Sequence, residues 1–283
     1  MQWKGRRESS NVEDRRGRGG KTIVGGGIGG IVILLIVTLL GGGSPGDILN
    51  SITGSGSSSN SSTPYQETAQ EKELSEFVSV VLADTEDVWT DEFKKRGLTY
   101  TDPTLVLYTD SVQSACGTAG SSVGPFYCPG DSKLYIDLSF YDELKQKFQA
   151  PGDFAMAYVV AHEVGHHVQT LLGTSDKLNK LRSSLSEKEY NTYQVRFELQ
   201  ADYLAGVWAN HAQGKNLLEK GDLEEALTAA SAVGDDTIQK KAQGYAVPES
   251  FTHGTSEQRM NWFNKGFKSG KIEDGDTFSA SKL

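Results

Sequence analysis

The residues best placed to do chemistry in this 283-residue chain are two histidines four apart with a glutamate beside the first, His162-Glu163-Val164-Gly165-His166. On a helix that spacing brings both imidazoles to one face, where they can share a tetrahedral metal. Glu163, about 100° around the same helix, can then approach a water activated by that metal. The surrounding stretch, Asp153 to Leu172, is apolar nearly all round (Phe154, Met156, Val159, Val160, Val164, Val168), which marks a buried helix. Burying Glu163 and three histidines without partners would cost several kcal/mol, about what a bound metal and its ligands offset.

Two histidines leave a catalytic zinc short of one protein ligand. Glu198, in Phe197-Glu198-Leu199-Gln200-Ala201-Asp202, is the best candidate. It sits on a second predicted helix that opens with the capping-box pair Ser186 and Glu189. Asp202, four residues on, shares its face and could accept the second ring N–H of a liganding histidine. The alternative is that both acids are solvated charges on an amphipathic helix. His167 points about 100° away from the ligand face and is assigned to packing or a substrate contact. His211, near a helix C-terminus, reads as structural.

The His162–His167 stretch, the Phe197–Gly206 segment and Thr252-His253-Gly254-Thr255-Ser256-Glu257-Gln258-Arg259 together resemble the putative neutral zinc metallopeptidase family of bacterial membrane-anchored proteins, over nearly the whole chain. The resemblance, shared with gluzincin-type proteases, implies His162, His166 and Glu198 as ligands of one Zn2+, Glu163 as general base and Asp202 behind a ligand. It also implies that His253 stabilises the oxyanion, with Arg259 orienting it or an acidic neighbour. The activity it implies is hydrolysis of peptide bonds in a peptide or protein substrate. A strand just before the metal helix would, by the same resemblance, pair with an extended substrate; an ordinary paired strand is the alternative. The rival function is a non-catalytic, zinc-stabilised envelope scaffold or chaperone-like binding protein.

The elements that must position these residues fall into four parts. Residues 1–21 carry seven Lys or Arg against three acids and are Gly-rich, so disorder is expected there. Residues 22–43 have no charge, and Thr22 to Leu40 would span about 28 Å as a helix, close to a bilayer core. The basic flank predicts a single-pass anchor in a bacterial inner membrane, with residues 1–21 cytoplasmic and the domain periplasmic or extracellular. A cleaved signal peptide is the rival, though this leader is long for one. Gly25 and Gly29 have the spacing of a helix-dimer motif, leaving a homodimer through the anchor possible. Residues 44–65, rich in Ser, Gly and Asn, read as a flexible tether. The first 21 residues carry +4, leaving −13 for the remainder of a chain of net charge −9, which argues against nucleic acid as a partner.

Residues 66–283 suffice for one well-buried domain. Helical spacing is expected over Gln66 to Arg96, Gly221 to Val233 and Ser256 to Phe267, the last opened by Thr255 and Gln258 as a capping box. Thr104 to Tyr108 and Lys133 to Leu138 read as strands. Cys116 and Cys128, the only cysteines, should pair in an oxidising compartment and stabilise the domain by about 3 kcal/mol. The expected fold is therefore α+β: a predominantly helical, zincin-like domain with a small sheet, preceded by one transmembrane helix.

Overall fold

The computed structural model describes residues 1–17 and 65–283. Its strands are β1 (Val12–Asp14), β2 (Thr104–Tyr108), β3 (Ser111–Ser114), β4 (Gly117–Gly120), β5 (Phe126–Cys128) and β6 (Lys133–Asp137). Its α-helices are α1 (Ala69–Lys95), α2 (Phe140–Gln146), α3 (Asp153–Leu171), α4 (Thr174–Leu181), α5 (Glu187–Gly214), α6 (Asp222–Ala232), α7 (Asp235–Gln243) and α8 (Ser256–Ser269). Helix predominates over strand, as the α+β expectation required.

Three of the long helices open on reciprocal capping boxes: Thr68 with Glu71 for α1, Ser186 with Glu189 for α5, and Thr255 with Gln258 for α8. Each satisfies two helix-end or flanking N–H groups that would otherwise lack partners. α3 has no side-chain cap of its own. Instead its Phe154 N–H donates to Glu225 of α6 at 3.0 Å, and its first residue, Asp153, takes the Met1 ammonium at 3.1 Å. Burial explains this dependence on outside partners, because α3 runs through the core with Phe154, Ala155, Met156, Ala157, Val160 and Val164 all inaccessible. A Cβ on Gly165 would lie 3.0 Å from the Ala201 carbonyl oxygen and 3.2 Å from its Cα. Glycine is what lets α3 and α5 approach closely, and these are the helices carrying the predicted metal ligands. The same device joins α5 to α8, where a Cβ on Gly266 would fall 1.9 Å from the Tyr203 carbonyl oxygen.

The main sheet has strand order β1-β2-β6-β5, with β1, β2 and β6 parallel and β5 antiparallel to β6. β6, the strand closest in sequence before the metal helix, is therefore interior and cannot pair with a substrate. β5, absent from the sequence reading, is one of the two edge strands among the described residues and packs against α3. β3 and β4 form a separate antiparallel ribbon, and the disulfide Cys116–Cys128, with Cα atoms 5.8 Å apart, ties that region to β5.

The N-terminal segment departs from expectation. Residues 1–17 are folded into the domain rather than disordered. Val12, Glu13 and Asp14 pair with Leu105, Val106 and Leu107 of β2. Ser9 N–H donates to the Ser79 carbonyl on α1, Trp3 packs edge-on against Phe77, and Arg7 bridges Glu86 and Asp87. The basic residues thus complement acids of the domain, an arrangement composition alone cannot distinguish from a disordered arm. Gly17 and Tyr65 are side by side, since a Cβ on Gly17 would overlap the Tyr65 side chain. One membrane crossing between them would put β1 and β2 on opposite faces, so this fold is incompatible with the single-pass, N-in and domain-out arrangement expected above. Among the described residues no helix is long and apolar enough to cross a membrane. The expected anchor at 22–43, its glycine motif and all but the last residue of the tether lie outside the described residues.

Candidate metal centre

His162 and His166 leave α3 one turn apart, and Glu198 meets them from α5. Glu198 Oε2 lies 3.3 Å from the Nε2 atom of each ring. Four ligands at about 2.0–2.1 Å from a tetrahedral zinc are separated pairwise by about 3.3–3.4 Å, so Glu198 already stands at that spacing from each ring. The ligand atoms of all three residues lie within 4.8 Å of one another. The remaining hydrogen-bonding atoms are committed elsewhere, which aims each donor inward. His162 Nδ1–H donates to Asp202 at 2.8 Å, and His166 Nδ1–H to Gln169 Oε1 at 2.8 Å. Gln194, one turn before Glu198, donates to its other oxygen at 2.9 Å.

Asp202 is fully buried and accepts four hydrogen bonds. Besides His162, they come from the Tyr158 hydroxyl at 2.6 Å and from Arg259 Nε and Nη2 at 2.8 and 2.9 Å. Burial opposes the charge of Asp202, but Arg259 and His162 overcome it and hold the carboxyl well below its usual range. Burial likewise opposes protonation of His162, yet Asp202 and Glu198 raise the metal-free ring to about 9. Arg259 thus pairs in a bidentate manner with the acid behind His162.

Glu163 faces the same cleft, a cavity of about 440 Å³ shared with His162, His166, Glu198, Tyr127 and His253. Burial pushes its carboxyl up, while the neighbouring His166 and His162 rings and the Tyr127 main-chain N–H pull it back. His253 comes from the loop before α8. Its Nδ1 is 3.2 Å from Asp235 Oδ1, and Asp235 Oδ2 accepts the main-chain N–H groups of Thr252, His253 and Gly254 at 2.8, 2.6 and 3.0 Å. Asp235 thus fixes both loop and ring. Burial disfavours a charged His253, but Asp235 outweighs it and raises the imidazole above its ordinary value.

All seven site residues expected from the sequence converge here. Tyr158, Gln169, Gln194 and Asp235 were missed. Gln169 and Gln194 each stand three or four residues from a ligand, a usable signal; Asp235 is distant in sequence and carried none. His211 contacts Glu92 and the Gly270 carbonyl, away from the centre. A second acidic group, Asp153, Asp222 and Glu225, has another occupant: the Met1 ammonium lies 3.1 Å from Asp153 and 3.3 Å from Asp222.

Two histidines on a His-Glu-x-x-His helix, completed by a glutamate from a second helix, define a class of single-zinc hydrolase sites. The chain belongs to the family described as putative neutral zinc metallopeptidase, whose model matches residues 1–278. It is 50% identical over 287 residues to the uncharacterized protein YpfJ of Escherichia coli K12, covering 99% of this chain and all of that one. It is also 43% identical over 195 residues to the uncharacterized protein Rv2575 of Mycobacterium tuberculosis H37Rv, covering 65% of each. No solved structure matches.

Proposed function

We propose that this protein is a zinc-dependent peptidase, with His162, His166 and Glu198 as the zinc ligands. The carrying observation is Glu198 Oε2 at tetrahedral spacing from the Nε2 atoms of both histidines, in an open cleft shared with Glu163. A structural zinc site is closed by four protein ligands, whereas three are found among the described residues, which suits a catalytic site. Zinc, when bound, supplies Lewis acidity toward a carbonyl oxygen and acidifies water. Glu163 takes the proton of the attacking water and delivers it to the departing amine. His253, whose Nδ1–H donates to Asp235, presents Nε2–H to the developing oxyanion as the imidazolium that Asp235 favours. Asp202 and Arg259 keep His162 in the tautomer that offers Nε2. The uncharged run 22–43 would attach the enzyme to a bilayer, with residues 1–17 and the catalytic domain on one side of it.

The test uses the full chain, detergent-solubilised and zinc-loaded, because β1 belongs to the domain. Wild type and Glu163→Gln are incubated with a diverse unstructured peptide library and products mapped by mass spectrometry. Cuts made by wild type alone, at equal zinc content, are expected. Zinc-loaded wild type that cuts nothing would overturn the peptidase reading in favour of a zinc-stabilised binding protein.

A further inference from the structure

His162 is backed by a charge, Asp202, whereas His166 is backed by an amide, and that amide belongs to a longer chain of hydrogen bonds. Gln169 is fully buried on α3, one turn beyond His166. Its Nε2 donates to the Phe197 carbonyl at 2.8 Å and to Gln200 Oε1 at 3.0 Å. Gln200 Nε2 donates in turn to the Gly275 carbonyl at 3.0 Å. Both carbonyls can only accept, so each amide has one orientation. Gln169 must then present Oε1 to His166, which places that ring's proton on Nδ1 and leaves Nε2 bare toward Glu198.

Gly275 begins a strap, residues 275–280, held against α5. It is buried at Tyr203, where a Cβ would lie 2.4 Å from the ring. Thr277 is inaccessible, and its hydroxyl donates to the Arg196 carbonyl at 2.6 Å. Arg196 Nη1 returns the contact to three strap carbonyls, those of Thr277, Phe278 and Ala280. Arg196 and Gln200 are one turn apart on α5, with Glu198 between them in sequence. A single turn of α5 thus carries the third ligand and two of the strap's anchors.

We propose that Gln169 and Gln200 are positioning residues that couple the strap 275–280 to the metal centre, so that docking of the strap and binding of zinc strengthen each other. This rests on the reading of His162, His166 and Glu198 as the zinc ligands. Lifting the strap removes the Gly275 acceptor and frees the Gln200 amide to turn. Gln169 is then held by the Phe197 carbonyl alone. Whenever Gln169 turns, its NH2 group faces His166 Nδ1 and drives the ring proton onto Nε2, the atom that zinc needs. Coupling between two equilibria is reciprocal, so zinc must tighten the strap by the factor by which the strap tightens zinc.

Zinc affinity of the full chain is measured by competition with a chromophoric chelator, and exchange of the strap amides by mass spectrometry with and without zinc. Gln169→Met should weaken zinc about tenfold. Gln200→Met and Arg196→Met should each weaken it about threefold. Their double variant should lose no more than about threefold, because both changes act through the same strap. In wild type, zinc should slow exchange over residues 277–280 about threefold. Gln200→Met, which keeps the Arg196 anchors but cuts the relay, should lose that zinc-dependent protection. Additive losses in the double variant, or equal protection of the strap by zinc in wild type and Gln200→Met, would overturn the proposal. Should Gln169→Met fail to fold, the half-buried Gln200 still carries the test. A wild-type chain that binds no zinc would refute the ligand assignment itself; zinc bound with strap exchange unchanged would refute the coupling alone.

Discussion

Replacing Asp202 by asparagine tests the support behind the metal separately from the metal ligands. The change is isosteric, but it removes the charge that compensates Arg259, and both groups are buried. The new amide also offers a donor where the guanidinium and the His162 Nδ1–H need acceptors. Breaking a buried ion pair from one side costs about 3–5 kcal/mol, because the surviving charge is stranded. Loss of the carboxylate behind a liganding histidine weakens metal affinity about 10–100-fold, or about 1.4–2.7 kcal/mol. The two effects are separable. Adding Arg259→Met removes the stranded charge while retaining a side chain of similar reach, so the double variant should recover much of the lost stability. Its zinc affinity should stay as weak as that of Asp202→Asn, since His162 remains without its carboxylate.

Stability would be read from denaturant midpoints of the metal-free proteins, so that zinc linkage does not enter. Affinity would be read by competition against a chromophoric chelator. A double variant no more stable than Asp202→Asn would refute the stranded-charge argument. Zinc affinity within twofold of wild type in Asp202→Asn would refute the role given to the Asp202–His162 hydrogen bond.

Two further predictions concern the N-terminal segment. Cysteines introduced at the exposed Lys4 and at Lys282, in full-length protein in native membranes, should react alike with a membrane-impermeant maleimide; opposite labelling would mean that β1 is not in the sheet in the membrane. Glu13, hydrogen-bonded by Arg15 and by Lys133 of β6, has its carboxyl lowered from 4.5 to about 2. A carboxyl lowered by folding contributes stability that is present above its unfolded value and lost as the pH falls through the folded one. Thermal midpoints should therefore converge for wild type and Glu13→Gln as the pH drops from about 4.5 toward 2, with wild type ahead at pH 5; parallel curves would discard the contribution.

The parts of this fold legible in the sequence are those whose cause is local. The capping boxes at Ser186 and Thr255 lie within four residues of the helices they start, and the strands Thr104–Tyr108 and Lys133–Asp137 stand out as apolar or alternating runs. β1 escaped because its evidence is remote. Three residues, two of them acidic, make no strand pattern, and they are held by β2 some ninety residues away and by ion pairs across the sheet. β5 escaped for a similar reason: Phe126, Tyr127 and Cys128 sit among glycines and prolines and owe their conformation to β6, a disulfide and α3. Asp235 orients His253 across eighteen residues, a distance at which no periodicity operates.

Helical period also explains why the site was readable at all, and why its edge strand was not. The run His162-Glu163-Val164-Gly165-His166-His167 contains two interleaved pairs at i and i+4, each sharing a face. One pair, His162 and His166, turns toward Glu198. The other, Glu163 and His167, turns toward Tyr127, about 100° around the helix. That angle is why His167 cannot join the zinc ligands, and it is also what delivers His167 to β5. The first pair could be assigned because the coordination chemistry of zinc is known in advance and its partner acid lies on the next long helix. The second pair has no such external template, since an imidazole facing a tyrosine becomes meaningful only when the strand carrying that tyrosine is in place. One helix thereby places Glu163 and His167 toward β5 and His162 and His166 toward Glu198, and the close approach allowed by Gly165 brings α5 into the same frame.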